Sequence, residues 1–124
     1  MLANTTQMAL LENPDLRHSL ARITSGMLGY MDSGATSYSE DDIDKCRDIL
    51  TSHAEALEQV KDRASALELV KSTVIRLNSL NEDAGQDLIE TDQREEICGF
   101  IIKAGAIMGF NSEGEDVTEE WREW

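Results

Sequence analysis

The chain has 124 residues, of which 40% are hydrophobic, with one proline and two each of Trp, Tyr and Phe. This length suffices for one core without disulfides, and the scarcity of proline and aromatic residues favours helices over a β-sandwich or barrel. The formal net charge of −14 argues against direct binding to nucleic acid or anionic membranes, because both are negative as well. We therefore expect a single helical domain, residues 1–124, that attracts basic partners.

Apolar residues recur at helical spacing in four segments, so we predict an all-α compact bundle of four main helices with short helical pieces at both termini. The main helices are predicted at 14–31, 40–61, 64–81 and 92–109. Asn13 and Pro14 suit the start of the first helix, and Ser39 caps the second. Asp62 or Ser65 is predicted to cap the third helix, and Gly109 to terminate the fourth.

The segment 92–110 carries the most continuous apolar surface, because Lys103 is the only charged residue between Ile97 and Phe110. We predict that it forms the central helix of the bundle, capped by Thr91 or Asp92. It is too short and too rich in glycine to span a bilayer. The short terminal pieces are predicted at 2–12 and 117–124.

A heptad pattern runs through the second helix and beyond it. Ile43, Leu50, Leu57 and Ala64 alternate with Cys46, His53, Val60 and Leu67. No glycine or proline interrupts 40–84, and a single helix of that length would extend over about 60 Å. We predict a break near 61–63, and the alternative is an extended coiled coil that dimerises to bury its seam.

No catalytic, nucleotide-binding or metal-binding motif is present, so we expect neither an enzyme nor a bound cofactor. His18 and His53 lie in different predicted helices, without a second ligand at a recognised spacing, and His53 is expected to be half-buried and hydrogen-bonded. Cys46 and Cys98 fall on apolar stripes and are predicted to be buried free thiols. The segment 81–92 departs from the calcium-loop pattern at several ligand positions.

The chain starts Met-Leu-Ala-Asn-Thr-Thr-Gln, without a basic region or a long apolar run. We therefore expect no signal peptide and a cytoplasmic location.

Two acidic segments are candidate partner-binding sites. The residues are Glu82, Asp83, Asp87 and Glu90 in the first segment, and Glu119, Glu120, Trp121 and Trp124 in the second. The two tryptophans form an apolar stripe with Val117, and aromatic anchors ringed by charge are typical of binding hot spots. Alternatively, the tail folds back and both indoles pack on the bundle.

The charge predicts a non-enzymatic binding protein that inhibits or neutralises a basic protein partner, such as a toxin, a nuclease or a nucleic-acid-binding protein. Bacterial immunity proteins and phage inhibitors that mimic nucleic acid have this size and charge. One alternative is a scaffold protein that oligomerises through the heptad seam of residues 43–67, with a homodimer possible. Another is that the acidic surface serves solubility only.

Overall fold

Four α-helices follow one another along the chain: α1 (Pro14–Asp32), α2 (Glu40–Leu57), α3 (Arg63–Asp83) and α4 (Thr91–Ile107). The structure is a computed structural model that describes residues 9–34 and 36–124. A 3₁₀ turn at Leu10–Glu12 precedes α1, and the described residues contain no β-strand. The predicted all-α bundle of four main helices is thus confirmed. The predicted helical piece at 2–12 lies largely outside the described residues.

Local capping explains where the first three helices start. The Asn13 side chain accepts hydrogen bonds from the backbone N–H groups of Asp15 (2.9 Å) and Leu16 (3.3 Å). At α2 the Asp42 carboxylate accepts the backbone N–H of Ser39 at 3.0 Å, but the Ser39 side chain makes no capping hydrogen bond, so the predicted cap by this side chain is wrong. At α3 the Asp62 carboxylate accepts the backbone N–H of Ser65 at 2.8 Å. The predicted starts of these helices are confirmed, because each depends on residues within one turn.

The fourth helix starts differently from the prediction. Its N-cap residue is Glu90, whose side chain makes no capping hydrogen bond, so the predicted caps at Thr91 or Asp92 are wrong. Leu88 and Ile89 are buried immediately before the helix. Burial of these two side chains anchors the chain where it enters α4.

The chain turns back between α2 and α3, which excludes the extended coiled coil. Helix α2 ends at Leu57, four residues earlier than predicted, and the side chain of the next residue, Glu58, accepts the backbone N–H of Leu10 at 2.9 Å. Helix α3 then packs antiparallel on α2, with His53 of α2 and Thr73 of α3 in contact.

Helix α2 is the central element of the bundle. The most extensive helix pairs are α1–α4 and α2–α3, and α2 also packs against both α1 and α4. The prediction that the segment 92–110 is central is wrong in this respect. Part of its apolar arc faces solvent, as shown by Ile107, which is 42% exposed.

Two glycines near the end of α4 have different structural roles: Gly109 terminates the helix, and Gly105 allows Asn111 to approach it closely. Gly109 has a φ of +81°, and the N–H groups of Gly109 and Phe110 donate to the carbonyls of Ala106 and Gly105, which forms a Schellman cap. A Cβ at Gly105 would lie 1.9 Å from Oδ1 of Asn111, whose Nδ2 donates to a carbonyl of α4. The predicted termination at Gly109 is confirmed, since the helix stops two residues before it.

The C-terminal tail fills the side of the bundle between α4 and α3. Thr118 is buried and contacts Cys98 of α4, with 3.3 Å between Oγ1 and Sγ. Farther along the tail, the Trp121 carbonyl accepts a hydrogen bond from Asn78 of α3 at 2.8 Å. The predicted helical piece at 117–124 is wrong, because these residues form bends, a turn and irregular chain. Contacts with two helices fix the conformation of the tail here.

No helix in the described ranges combines the length and hydropathy that crossing a bilayer requires.

Candidate functional site

The antiparallel helix order brings carboxylates from four chain segments to one end of the bundle. The end of α1 meets the start of α4, where the Tyr30 hydroxyl donates to Asp92 at 3.3 Å and this carboxylate raises the pKa of Tyr30. The loop before α2 meets the loop before α4, where Ser37 N–H donates to Asp87 at 2.9 Å. We name this end the acidic pole, formed by Asp32, Glu40, Asp41, Asp42, Glu82, Asp83, Asp87, Glu90 and Asp92.

Buried side chains and hydrogen bonds hold the backbone of the loop between α3 and α4, which carries several of the charged residues. Leu88 and Ile89 are buried in the core. Asn81 accepts two backbone hydrogen bonds. Its side-chain oxygen accepts Ile89 N–H at 2.9 Å, and its backbone carbonyl accepts Gln86 N–H at 2.8 Å. The predicted site residues on either side, Glu82, Asp83 and Glu90, are exposed to solvent. The pole therefore presents its carboxylates from an ordered backbone, which lowers the entropy cost of binding.

Asp87 differs from the other predicted site residues. One of its oxygens accepts the Ser37 N–H, and the other is buried without a hydrogen-bond partner among the described residues. The pKa of the neighbouring Tyr38 is raised to about 12, chiefly by burial and secondly by the Asp87 carboxylate. The Tyr38 hydroxyl donates to a backbone carbonyl of α1 at 2.6 Å. Asp87 thus joins two loops of the pole, and it is less available to a partner than Glu82 or Glu90.

The acidic residues stand at helix ends of both polarities. Glu40, Asp41 and Asp42 occupy the first turn of α2, where the helix dipole favours negative charge. Glu82 and Asp83 lie in the last turn of α3, and Asp32 ends α1, where the dipole disfavours it. No helix among the described residues has a basic residue in its last turn. Helix stability does not account for these three carboxylates.

The charges of the pole are largely unneutralised. Among the described residues, seven ion pairs form, and the only one that includes the pole joins Asp41 to Lys45 at 3.8 Å. The other pairs lie elsewhere, for example between Arg63 and Glu115. The carboxylates of the pole therefore keep their field available to a cation from outside.

The tail approaches the pole at its last residues only. Asn78 on α3 fastens it, because its Nδ2 donates to the Trp121 carbonyl at 2.8 Å and its Oδ1 accepts Glu123 N–H at 3.1 Å. Glu123 then lies beside Glu82 along a small cleft. The predicted site residues Glu119 and Glu120 are exposed on the turn before Trp121. No hydrogen bond or ion pair joins Glu119 or Glu120 to the pole among the described residues.

Both tryptophans pack on their own bundle. Trp121 and Trp124 are partly buried against the hydrophobic core, and the Arg122 guanidinium lies over the Trp124 ring, 5.7 Å from its centroid. Nε1 of Trp124 is buried without a partner among the described residues. The structure thus favours the docked tail over free indoles. A role of either indole in binding a partner stays a prediction, with only part of each ring accessible.

Several members of this surface were not predicted from the sequence. Asp32 and residues 40–42 are far from Glu82 along the chain, and only an up-and-down helix order unites them. That order could have been inferred from the short loops, since short connections make neighbouring helices antiparallel. No sequence signal singled out Asn78 as the residue that fastens the tail.

The described residues contain no group of three or more His, Cys, Asp or Glu that could hold a metal ion. Of the two histidines, His18 is exposed, and His53 is 1% exposed rather than half-buried as predicted. Its Nδ1 lies 2.7 Å from the Thr73 hydroxyl, and Nε2 has no partner among the described residues. Burial lowers the pKa of His53 to about 4.

The two cysteines are free thiols, in agreement with the prediction, but only Cys46 is fully buried. Burial raises the pKa of Cys46 to about 12 and also raises that of the partly buried Cys98. Neither thiol is activated as a nucleophile by this environment, because a raised pKa lowers the thiolate fraction.

Comparison with protein-family models, with curated proteins and with solved structures found no match for this chain.

Proposed function

We propose that this protein is a non-enzymatic binding protein that inhibits or neutralises a basic protein partner, such as a toxin, a nuclease or a nucleic-acid-binding protein. The observation that carries the proposal is the acidic pole. Only one of its carboxylates, Asp41, forms an ion pair among the described residues. Asp32, Glu82 and Asp83 lie where the helix dipole disfavours negative charge. Surface charges that lower stability are compatible with a functional role, because function and stability often trade off against each other.

The physical basis of binding is electrostatic complementarity. Exposed carboxylates on an ordered backbone attract a cationic surface and raise the association rate, chiefly at low ionic strength. A negative surface of this kind competes with nucleic acid for the basic surface of a nuclease or nucleic-acid-binding protein. Inhibition would follow from occupying that surface, as bacterial immunity proteins and phage mimics of nucleic acid do.

The alternative function, a scaffold assembled through the heptad seam, has less support. Among the residues of that seam, Ile43, Cys46, Leu50, His53 and Leu57 are at most 3% exposed. Their side chains are used within the bundle, so a homodimer would have to form through a different surface.

The proposal is tested by neutralising the pole without disturbing the fold. Affinity capture from an extract of the native host at low salt supplies candidate partners, and the association rate with a purified partner is measured by stopped flow. The double variant Glu82→Gln/Glu90→Gln removes two exposed charges of the pole. We expect association to slow by roughly two- to tenfold, with little change in dissociation.

The matched control is Glu55→Gln/Glu68→Gln, which makes the same charge change at exposed positions toward the opposite end of α2 and α3. Association of wild type should also weaken as ionic strength rises from roughly 0.01 to 0.15 M, because the screening length falls from about 30 to 8 Å. A partner that is not basic would refute the proposal. So would an association rate that is changed neither by Glu82→Gln/Glu90→Gln nor by salt.

A further inference from the structure

A groove of about 520 Å³ lies between α2 and α3, directly beside the acidic pole. Its apolar lining consists of Ile49 and Leu80, which are 7% and 8% exposed, and of Ile75, which is 45% exposed. Ile75 is the most exposed large hydrophobic residue described, and it stands beside a concave surface that no described segment covers. An exposed apolar side chain at the edge of a groove is a common docking point for a partner.

The rim of the groove carries three carboxylates and two cations. Asp42 and Asp83 belong to the acidic pole, and Asp48 adds a third carboxylate on α2. Of the two cations in the lining, Lys45 is paired with Asp41 at 3.8 Å, which leaves Arg76 as the main opposing charge. A partner that fits this rim carries Lys or Arg on either side of an apolar face.

The shape of the groove selects the element that fits it. The part of α3 that lines it runs from Ile75 to Asp83, which spans about 12 Å at 1.5 Å per residue, or about two turns of a partner helix. Two antiparallel helices form a long, shallow depression, in which a third helix can lay apolar residues spaced three and four apart. A second copy of this chain is a poor occupant, because it carries the same net charge of −14.

We infer that the α2–α3 groove is the docking surface for a basic amphipathic helix, which places an apolar side chain against Ile75 and its cations against Asp42, Asp48 and Asp83. This inference rests on the proposed function and assigns the partner's element and position. The pole attracts the partner over a distance, and the groove provides the short-range apolar contact that slows dissociation.

The test uses a synthetic peptide of 18 leucines and lysines, with the leucines at helical i, i+3, i+4 and i+7 spacing, and a scrambled peptide of the same composition. Binding to the full chain is measured by fluorescence anisotropy, and its location by amide chemical shifts. We expect tighter binding of the amphipathic peptide, with shifts concentrated along residues 42–49 and 75–83. Ile75→Asp should weaken binding by about tenfold or more, because a buried apolar contact is replaced by a charge.

Ile107→Asp is the matched control, since Ile107 is 42% exposed on α4, outside the groove. It should leave the affinity unchanged. A second variant, Ser79→Tyr, fills the groove from an exposed position without adding a charge and should also weaken binding. Wild-type levels of peptide binding in both Ile75→Asp and Ser79→Tyr would overturn the inference, as would equal binding of the scrambled peptide.

Two further outcomes separate this inference from the proposed function. Salt-dependent association with a basic partner that responds to Glu82→Gln/Glu90→Gln, but not to Ile75→Asp, would refute the groove and leave the proposed function intact. Conversely, loss of peptide binding in Ile75→Asp, with a native partner indifferent to salt and to the pole, would refute the proposed function alone. A dimer in sedimentation that Ile75→Asp dissociates would show that a second copy occupies the groove, and would overturn the inference.

Discussion

His53 is the buried residue with the clearest consequence for stability. Its ring lies between α2 and α3 with Nδ1 hydrogen-bonded to Thr73, and burial lowers its pKa to about 4. In the unfolded chain the imidazole has its ordinary pKa of about 6.5. Between these two values the unfolded state binds a proton that the folded state does not, so the contribution of His53 is complete above about pH 6.5 and is lost as the pH falls toward 4.

We therefore expect the contribution of His53 to the free energy of unfolding to decrease by about 3 kcal/mol as the pH falls from 6.5 to 4. Chemical denaturation at a series of pH values measures this slope, most clearly between about pH 5 and 6.5, where carboxylates remain ionised. His53→Asn keeps a polar group near Thr73 but cannot titrate, so it should flatten the slope. The control His18→Asn, at an exposed position, should retain it. A slope unchanged in His53→Asn would contradict the prediction.

The sequence predicted the environment of His53 only in part. Its place in the heptad pattern indicated an inward position, and the structure confirms that side of the helix. Its partner Thr73 is twenty residues away, on a helix whose angle and register no local pattern specifies. The open Nε2 arises from the same tertiary packing. Periodicity thus identified an inward-facing residue, but it could not establish whether its hydrogen bonds were satisfied.

At the scale of elements, the last residues of the tail are hydrogen-bonded to a single side chain of α3. The Asn78 amide both donates to the Trp121 carbonyl and accepts Glu123 N–H, so two tail backbone groups share one residue. Val117 and Thr118 are buried upstream, and the two indoles are partly buried downstream of them. The tail is therefore part of the folded structure, and Asn78 holds its last residues.

Asn78→Ala should release the end of the tail. We expect the tryptophan emission to shift to the red and iodide quenching to increase, because both indoles of the protein lie in this segment. A loss of about 1 to 2 kcal/mol from two hydrogen bonds and reduced indole burial would lower the melting temperature by roughly 3 to 12 °C. Ser79→Ala, at the next and exposed position, serves as control and should change neither. An unchanged emission spectrum in Asn78→Ala would show that packing alone holds the indoles.

Helix positions were largely predictable because their determinants are local. Asn13 and Asp62 cap α1 and α3 with their side chains, the second predicted with Ser65 as the alternative, and Ser39 marks the start of α2 through its backbone N–H. The centrality of α2 and the non-helical tail were not predictable in this way. Both features depend on which helices pack together. The wide apolar arc of α4 suggested that this helix had more neighbouring helices than the structure shows.

At the scale of the whole molecule, the acidic pole affects stability in opposite directions at its different helix ends. Glu82 and Asp83 lie at the negative end of the α3 dipole, which disfavours their charge. They also add to the self-repulsion of a chain with a net charge of −14. Glu40 and Asp41 belong to the same pole but stand at the positive end of α2. The two pairs should therefore contribute alike to the attraction of a cationic partner and oppositely to the stability of their helices.

Charge reversal at each pair separates these two effects. Glu82→Lys/Asp83→Lys changes the net charge from −14 to −10 (−14 + 4) and places cations where the α3 dipole favours them. Each change should stabilise by roughly 0.3 to 1 kcal/mol at low salt, so the melting temperature should rise by several degrees. Glu40→Lys/Asp41→Lys makes the same charge change at the start of α2, where cations are unfavourable, and should lower the melting temperature.

Association with a basic partner should slow in both double variants, because each removes attraction from the pole. Calorimetry at low and at high salt measures the stabilities, and stopped-flow mixing measures the association rates. High salt should reduce both stability differences, since the charges are exposed and screened. If both variants raised the melting temperature equally, net repulsion would outweigh the helix dipoles. If the α3 variant gained stability without losing association, the carboxylates of Glu82 and Asp83 would have no part in binding.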